Sequence, residues 1–282
     1  IPEESLLRGQ TKTSLVMLED SASVPFEINS RLTLFEVTDE EGVQYSISFD
    51  DFDSTNLKIR GPKTFRRGEE KTFIFQFEGI LEREQYAFLD IRQNERAVIH
   101  RKGALLLSEG LWFPSHRLTL DAASTKIRIV VPLGFSVVAP GELTSIKTVG
   151  VGEAFTWESR QPLTEIQVVV SRFFRRKFSD LKFPVTFFVT EDFRQDPRPL
   201  AEEVVQMLDF FQSEYGEPTW SELNLVQVEN VELPSTGCAG LTLLEPAILQ
   251  QPSSSRMELA RRIARQWWGC SVRFAGPSDA WL

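Results

Sequence analysis

The sequence predicts a mainly β protein that becomes α/β towards its C-terminal end: an antiparallel β-sandwich or large folded sheet over residues 1–180, then a second, α/β domain over residues 181–282. The first observation behind this is a succession of short alternating runs with no helical period among them, from SLVML at 14–18 to EIQVVVS at 165–171. The second is a change of pattern near residue 180, where a strand, a helix and another strand follow one another. The third is size and composition: 282 residues, 41% hydrophobic and 11% aromatic, suffice for two packed cores.

In the β-rich part, RLTLFEV (31–37), VQYSISF (43–49), KTFIFQFEG (71–79) and KIRIVVP (126–132) read as strands. Turn sequences such as Asp39-Glu40-Glu41-Gly42, Arg67-Gly68-Glu69-Glu70 and Ala139-Pro140-Gly141-Glu142 separate them. Phe73, Phe75 and Phe77 fall on one face at period two with Thr72 and Gln76 on the other, the pattern of a half-buried strand. FRRKF at 174–178 is the densest basic cluster and reads as a solvated strand end or linker. FPVTFFVT at 183–190 is almost continuously apolar, as a strand buried on both faces would be. Leu200, Val204, Leu208, Phe211 and Tyr215 then recur every three or four residues between Pro199 and Gly216, which marks an amphipathic helix with a start and a stop. ELNLVQVENV at 222–231 returns to strand character. A last helix is expected from about Arg256 to Trp268, with Ser255 and Glu258 as a capping box and Leu259, Ile263 and Trp267 facing the core.

The formal net charge is −9 and no sustained Lys/Arg block exists, which excludes nucleic acid as a partner because phosphate binding needs a local excess of positive charge. No apolar run reaches the roughly 20 residues of a membrane-spanning helix. The chain opens on Ile1 and ends on Trp281-Leu282 inside what reads as an element, so it is expected to be a processed chain or a piece of a larger protein. Cys238 and Cys270 can form one disulfide at most, too few to fix a compartment.

Several segments resemble the M1 aminopeptidases, a family of gluzincin metallopeptidases. GLWFPSH (110–116), VVPLGFSVVAPGEL (130–143) and FTWESRQPL (155–163) are similar to the family's saddle-like N-terminal domain. Residues 183–232 are similar to the opening of its thermolysin-like catalytic domain, and ARQWWG (264–269) with SDAWL (278–282) to the sequence around and after its zinc motif. The resemblance implies a helical His-Glu-x-x-His whose imidazoles hold Zn²⁺ while the glutamate acts as general base on the metal-bound water. Anchored on Gln266-Trp267-Trp268-Gly269, those positions fall on Arg261, Arg262 and Arg265. An arginine has no free lone pair, so it can neither ligate zinc nor accept a proton. The family's third ligand would fall about two residues beyond Leu282 by the same alignment. The glutamate that holds a substrate's amino terminus belongs to a Gly-x-Met-Glu-Asn motif, and Thr236, Gly237 and Cys238 stand at its last three positions. No zinc and no other cofactor is therefore expected, and the resemblance implies a protein or peptide as the class of partner.

Competing roles are weaker. MELAR at 257–261 preserves a base in Glu258 but supplies no histidine, and Glu258 is better placed to pair with Arg261 or Arg262 at i+3 and i+4. His100 and His116, the only histidines, read as ordinary packed or surface residues. Cys238 has no base close in sequence, and Ser253-Ser254-Ser255 lacks a Gly-x-Ser-x-Gly frame. Three functional readings follow, the first weighted above two equal alternatives: an M1-like protein that has lost its chemistry and acts as a binding or structural module; a zinc metallopeptidase with ligands from outside these residues; and an unrelated β-sandwich binding protein. Arg261, Arg262 and Arg265 also raise an anion-binding site if they share one open face, against the plainer expectation that Glu258 and neighbouring acids neutralise them.

Overall fold

In the computed structural model, which describes residues 4–50, 53–82, 96–116, 122–228, 237, 239–250, 252–268 and 270–272, the alternating phenylalanines build a core as their spacing requires. Strand β1 (Leu6–Val16) pairs antiparallel with β6 (Glu70–Ile80), which also pairs with β3 (Leu32–Thr38). A second three-stranded sheet has the order β2 (Val24–Glu27), β5 (Asn56–Arg60), β4 (Ser46–Phe49). Phe26 of β2 meets Phe73 and Phe75 of β6 edge-on, at 5.8 and 4.8 Å between ring centres, so the inner faces of the two sheets share one aromatic core. Tyr45 closes it against Phe65 and Phe73 while its hydroxyl donates to Asp39 Oδ2 at 2.9 Å. These strands and β7 (Ala97–His100) belong to one compact unit, Ile1–Arg101 with Leu106–Thr119. The strand seen in SLVML begins earlier than its apolar run, at Leu6, because the polar residues Arg8, Gln10, Lys12 and Ser14 line its exposed side.

The second unit is Lys102–Leu105 with Leu120–Leu282. It contains β8 (Gly103–Leu106) up to Leu105, and β9 (Lys126–Pro132), β10 (Ser136–Val138), β11 (Glu142–Val149), β12 (Gly152–Glu158) and β13 (Val168–Ser171). Strands β9, β12 and β11 make an antiparallel sheet with β12 in the middle, and β13 lies between β10 and β8. A further sheet runs β14 (Phe174–Phe178), β15 (Val185–Val189), β16 (Leu223–Gln227), β17 (Leu241–Leu244). Its first pair is antiparallel and its last two pairs are parallel. FRRKF is thus an exposed edge strand, and residue 180 lies within the second unit, in the connection between β14 and β15. Every residue of β15 is buried, as its unbroken apolar sequence demands of an interior strand.

Among the described residues three helices pack on one face of that sheet: α1 (Arg198–Tyr215), α2 (Pro246–Gln250) and α3 (Pro252–Ala264). Helix α1 carries Pro199 in its first turn and stops at Gly216, whose φ of 87° suits glycine. It buries Leu200, Val204 and Leu208 with Phe187, Leu225, Leu259, Ile263 and Trp267 in one apolar cluster. Helix α3 departs from expectation at both ends. It starts at Pro252, where a missing N–H costs nothing in a first turn, so Ser255 lies inside the helix and the capping box does not form. Its regular turns end at Ala264; a turn over 265–267 follows, and Trp268 makes an isolated bridge with Val272. No described helix is long and apolar enough to cross a membrane.

Candidate functional site

Residues 261–265 sit where α3 meets the open edge of β17. Among the described residues strand β17 pairs with β16 on one side only, with Asn224 N donating to Gly240 O at 2.7 Å and Val228 N to Leu244 O at 3.0 Å at the ends of the ladder. In a parallel pair the carbonyls alternate sides, so those of Leu241 and Leu243 point outward. Two side chains one helical turn apart close that edge. The Gln266 amide, fully buried, donates to Leu241 O at 2.9 Å and to Thr242 Oγ1 at 3.0 Å, while its oxygen accepts from Gly240 N at 2.9 Å. Arg262 donates from an Nη1 to Leu243 O at 2.8 Å.

The remaining Arg262 donors are also engaged. Nε donates to Glu258 Oε1 at 2.9 Å, and Nη2 reaches the two oxygens of Glu245 at 2.8 and 2.7 Å. The residue is only 7% exposed, so this is a buried cation between two carboxylates and a carbonyl. Arg261 lies on the outer side of the helix and donates to Glu258 Oε2 at 2.5 Å. Arg265 is exposed and makes no ion pair among the described residues. The three arginines therefore do not share a face. Successive helical residues are about 100° apart, so Arg261 and Arg265 point outward while Arg262, beside Leu259, Ile263 and Gln266, points in.

The equivalent of the amine-anchor motif is a tight turn. Gly237 has φ +99°, and a Cβ there would lie 2.2 Å from Leu241 O, so this backbone excludes any larger residue. Ala239 and Gly240 are left-handed as well, at φ 50° and 81°. Thr236 and Cys238 fall outside the described residues. Cys270 is disulfide-bonded. His116 packs its ring edge-on to Phe26 at 5.8 Å, and both histidines belong to the β-rich part. Among the described residues, no three His, Cys, Asp or Glu side chains lie close enough together to hold a metal ion. The guanidinium groups of Arg261, Arg262 and Arg265 have no lone pair to give to zinc.

Sequence reasoning located this helix but did not single out Glu245, Gln266 or Thr242. One signal was available: Arg262 and Gln266 fall in the same stripe as Leu259, Ile263 and Trp267, and polar residues in an apolar stripe require buried partners.

No protein-family profile matches the sequence, and no curated protein matches it. Solved structures do. An M1 zinc metallopeptidase from Deinococcus radiodurans superposes with a TM-score of 0.78 at 18% identity, over 99% of this chain and 64% of its own. A mutant of the Deinococcus radiodurans M1 zinc metallopeptidase bound to a Tyr-Ser-Ala substrate gives 0.78 at 17% identity, over 100% of this chain and 65% of its own. The chain thus spans just under two thirds of the length of these structures, and along all of its own length it has the fold of the M1 zinc metallopeptidases.

Proposed function

We propose that the chain is an M1-peptidase-like protein that has lost the zinc-binding and catalytic residues and serves as a non-catalytic binding or structural module for a protein or peptide partner. In this reading residues 1–180 are the family's N-terminal β domain and residues 181–282 the first part of its thermolysin-like domain. Arg262 carries the reading. At the position that the resemblance assigns to the general base, it is a buried cation whose N–H groups hold Glu245, Glu258 and the edge of β17. A group tied down in this way supports the structure and is not available to take a proton from water. Glu258, on the same helix, is occupied by Arg261 and Arg262. Gly237, where the resemblance would put the amine-binding glutamate, stands on a backbone with no room for a side chain. The positions for base and substrate anchor are thus both given over to holding the fold.

The test is elemental analysis of the purified chain after dialysis against a weak chelator, with aminoacyl reporter substrates assayed on the same sample. The expected result is substoichiometric zinc and no release of amino acid. One zinc per chain together with turnover would refute the reading.

A further inference from the structure

Strand β14, FRRKF, pairs with β15 on one side, and among the described residues no strand lies along its other edge. An antiparallel edge strand turns the N–H and C=O groups of alternate residues away from its sheet, where they offer a ladder to another extended chain. We propose that this edge takes up an extended acidic segment of a partner protein as an added strand, with Arg175 and Arg176 selecting its carboxylates. The proposal rests on the reading of the chain as a binding module for a protein or peptide, and it names where and by what chemistry such a partner docks.

Side chains alternate along a strand, so Phe174, Arg176 and Phe178 share one face of β14 while Arg175 and Lys177 share the other. Phe178 is anchored, edge-on to Phe187 at 6.1 Å between ring centres and with the Arg198 guanidinium 5.7 Å from its own. Phe174 is 56% exposed and leaves an apolar contact open at the other end of the strand. The acids around β14 are already taken: Lys177 holds Glu222 at 2.5 Å and Arg198 holds Asp180 at 2.6 Å. Arg175 and Arg176 are exposed, the first with its guanidinium 6.0 Å from the Phe188 ring centre, and among the described residues neither is bonded to a carboxylate. Their side chains are long enough to reach a neighbouring strand at the usual spacing of about 4.8 Å. Charge then decides the occupant. A second copy added antiparallel about Arg176 would set Arg176 opposite itself and Arg175 opposite Lys177, which is repulsive. A strand with adjacent carboxylates opposite Arg175 and Arg176 gains charge-assisted hydrogen bonds on both faces. The net charge of −9 does not oppose this at physiological salt, where exposed charges more than about 8 Å away are screened.

The probe is a short fluorescein-labelled peptide in which valine and threonine flank adjacent glutamates, measured by fluorescence anisotropy on the full chain. Binding is expected, and Arg175→Glu combined with Arg176→Glu should weaken it at least about tenfold, whereas Arg175→Lys combined with Arg176→Lys should stay within about threefold. Both positions are exposed, so the variants should keep the parent's Tm. The same peptide with lysines in place of the glutamates should not bind. Backbone pairing is tested without any variant: N-methylation of alternate residues removes the N–H groups along one edge of the peptide, so one of the two alternations should abolish binding and the other spare it. No binding of the acidic peptide, binding that both methylated forms retain, or binding indifferent to the charge reversal would each overturn the proposal. So would a dimer in sedimentation that the charge-reversed variant dissociates, because the edge would then belong to a second copy. None of these outcomes depends on zinc or turnover. Absence of peptide binding in a chain without zinc or turnover removes this docking edge and leaves the non-catalytic reading standing.

Discussion

The aromatic core of the first unit and the α3–β17 junction of the second are equally buried and are held in opposite ways. Phe26, Phe73 and Phe75 gain stability from many weak, undirected contacts, and a residue of similar size can replace any of them at modest cost. Arg262 and Gln266 make few contacts, all directed, and each leaves a buried polar group unsatisfied when it is removed. The first kind of core tolerates substitution by shape. The second tolerates very little, because it is defined by donors and acceptors. At the edge of β17 the buried carbonyls of Leu241 and Leu243 need donors, and Gln266 and Arg262 of the helical segment supply them.

Substitution experiments can break this contrast. Phe75→Ala should cost the most, about 4 kcal/mol by chemical denaturation, because the ring is fully buried and its cavity cannot collapse between two sheets. Phe75→Leu should recover most of that loss. Arg262→Ala should cost about 3 kcal/mol, leaving Glu245 and Leu243 O buried without their partner. Arg262→Met, which restores volume but no donor, should recover little. If methionine rescues as well as leucine does at 75, the junction is an ordinary packed core and the contrast disappears. Arg261→Ala sharpens the same comparison one residue away: it is an exposed pair, so a change below about 0.5 kcal/mol is expected.

The difference between the two regions also explains what was legible in the sequence. Period-two alternation reports burial directly, so Phe73, Phe75 and Phe77 could be assigned to one face, and KIRIVVP matches β9 from Lys126 to Pro132. Strand β17 has four buried residues and no alternation, because its edge is covered by α3, and LTLL carried no strand signal of its own. The pairing of Glu258 with Arg261 and Arg262 was readable because it is local, at i+3 and i+4. The inward face of Arg262 is signalled by its place in the stripe of Leu259 and Ile263, but its partner Glu245, which is distant along the chain and follows β17, is not. The Ser255–Glu258 spacing suggested a helix start that Pro252 provides instead: a short motif states a compatibility, and the longer-range packing of α3 decides its use.

A pH-dependent effect tests whether a directed polar contact matters at the opposite edge of the same sheet. Glu222 accepts from Lys177 of β14 at 2.5 Å and from the Thr186 hydroxyl of β15. Burial pushes its carboxyl up, but the Lys177 and Thr186 hydrogen bonds and the charges of Lys177 and Arg175 outweigh that and hold it below the usual glutamate value. A carboxyl lowered on folding contributes stability that is present above its unfolded pKa and lost as the pH falls through the folded one. Acidification below about pH 4.5 should therefore loosen this contact, whereas Glu222→Gln should flatten that part of the stability–pH curve. Because Lys177 and Glu222 are both partly exposed, the difference should be about 0.5–1 kcal/mol and should shrink in high salt. Denaturation curves at neutral and acid pH, at two ionic strengths, measure it. An identical pH dependence for the variant and the parent would mean that β14 is held by its ladder with β15 alone, and that directed polar contacts are decisive only where, as at Arg262, water is excluded.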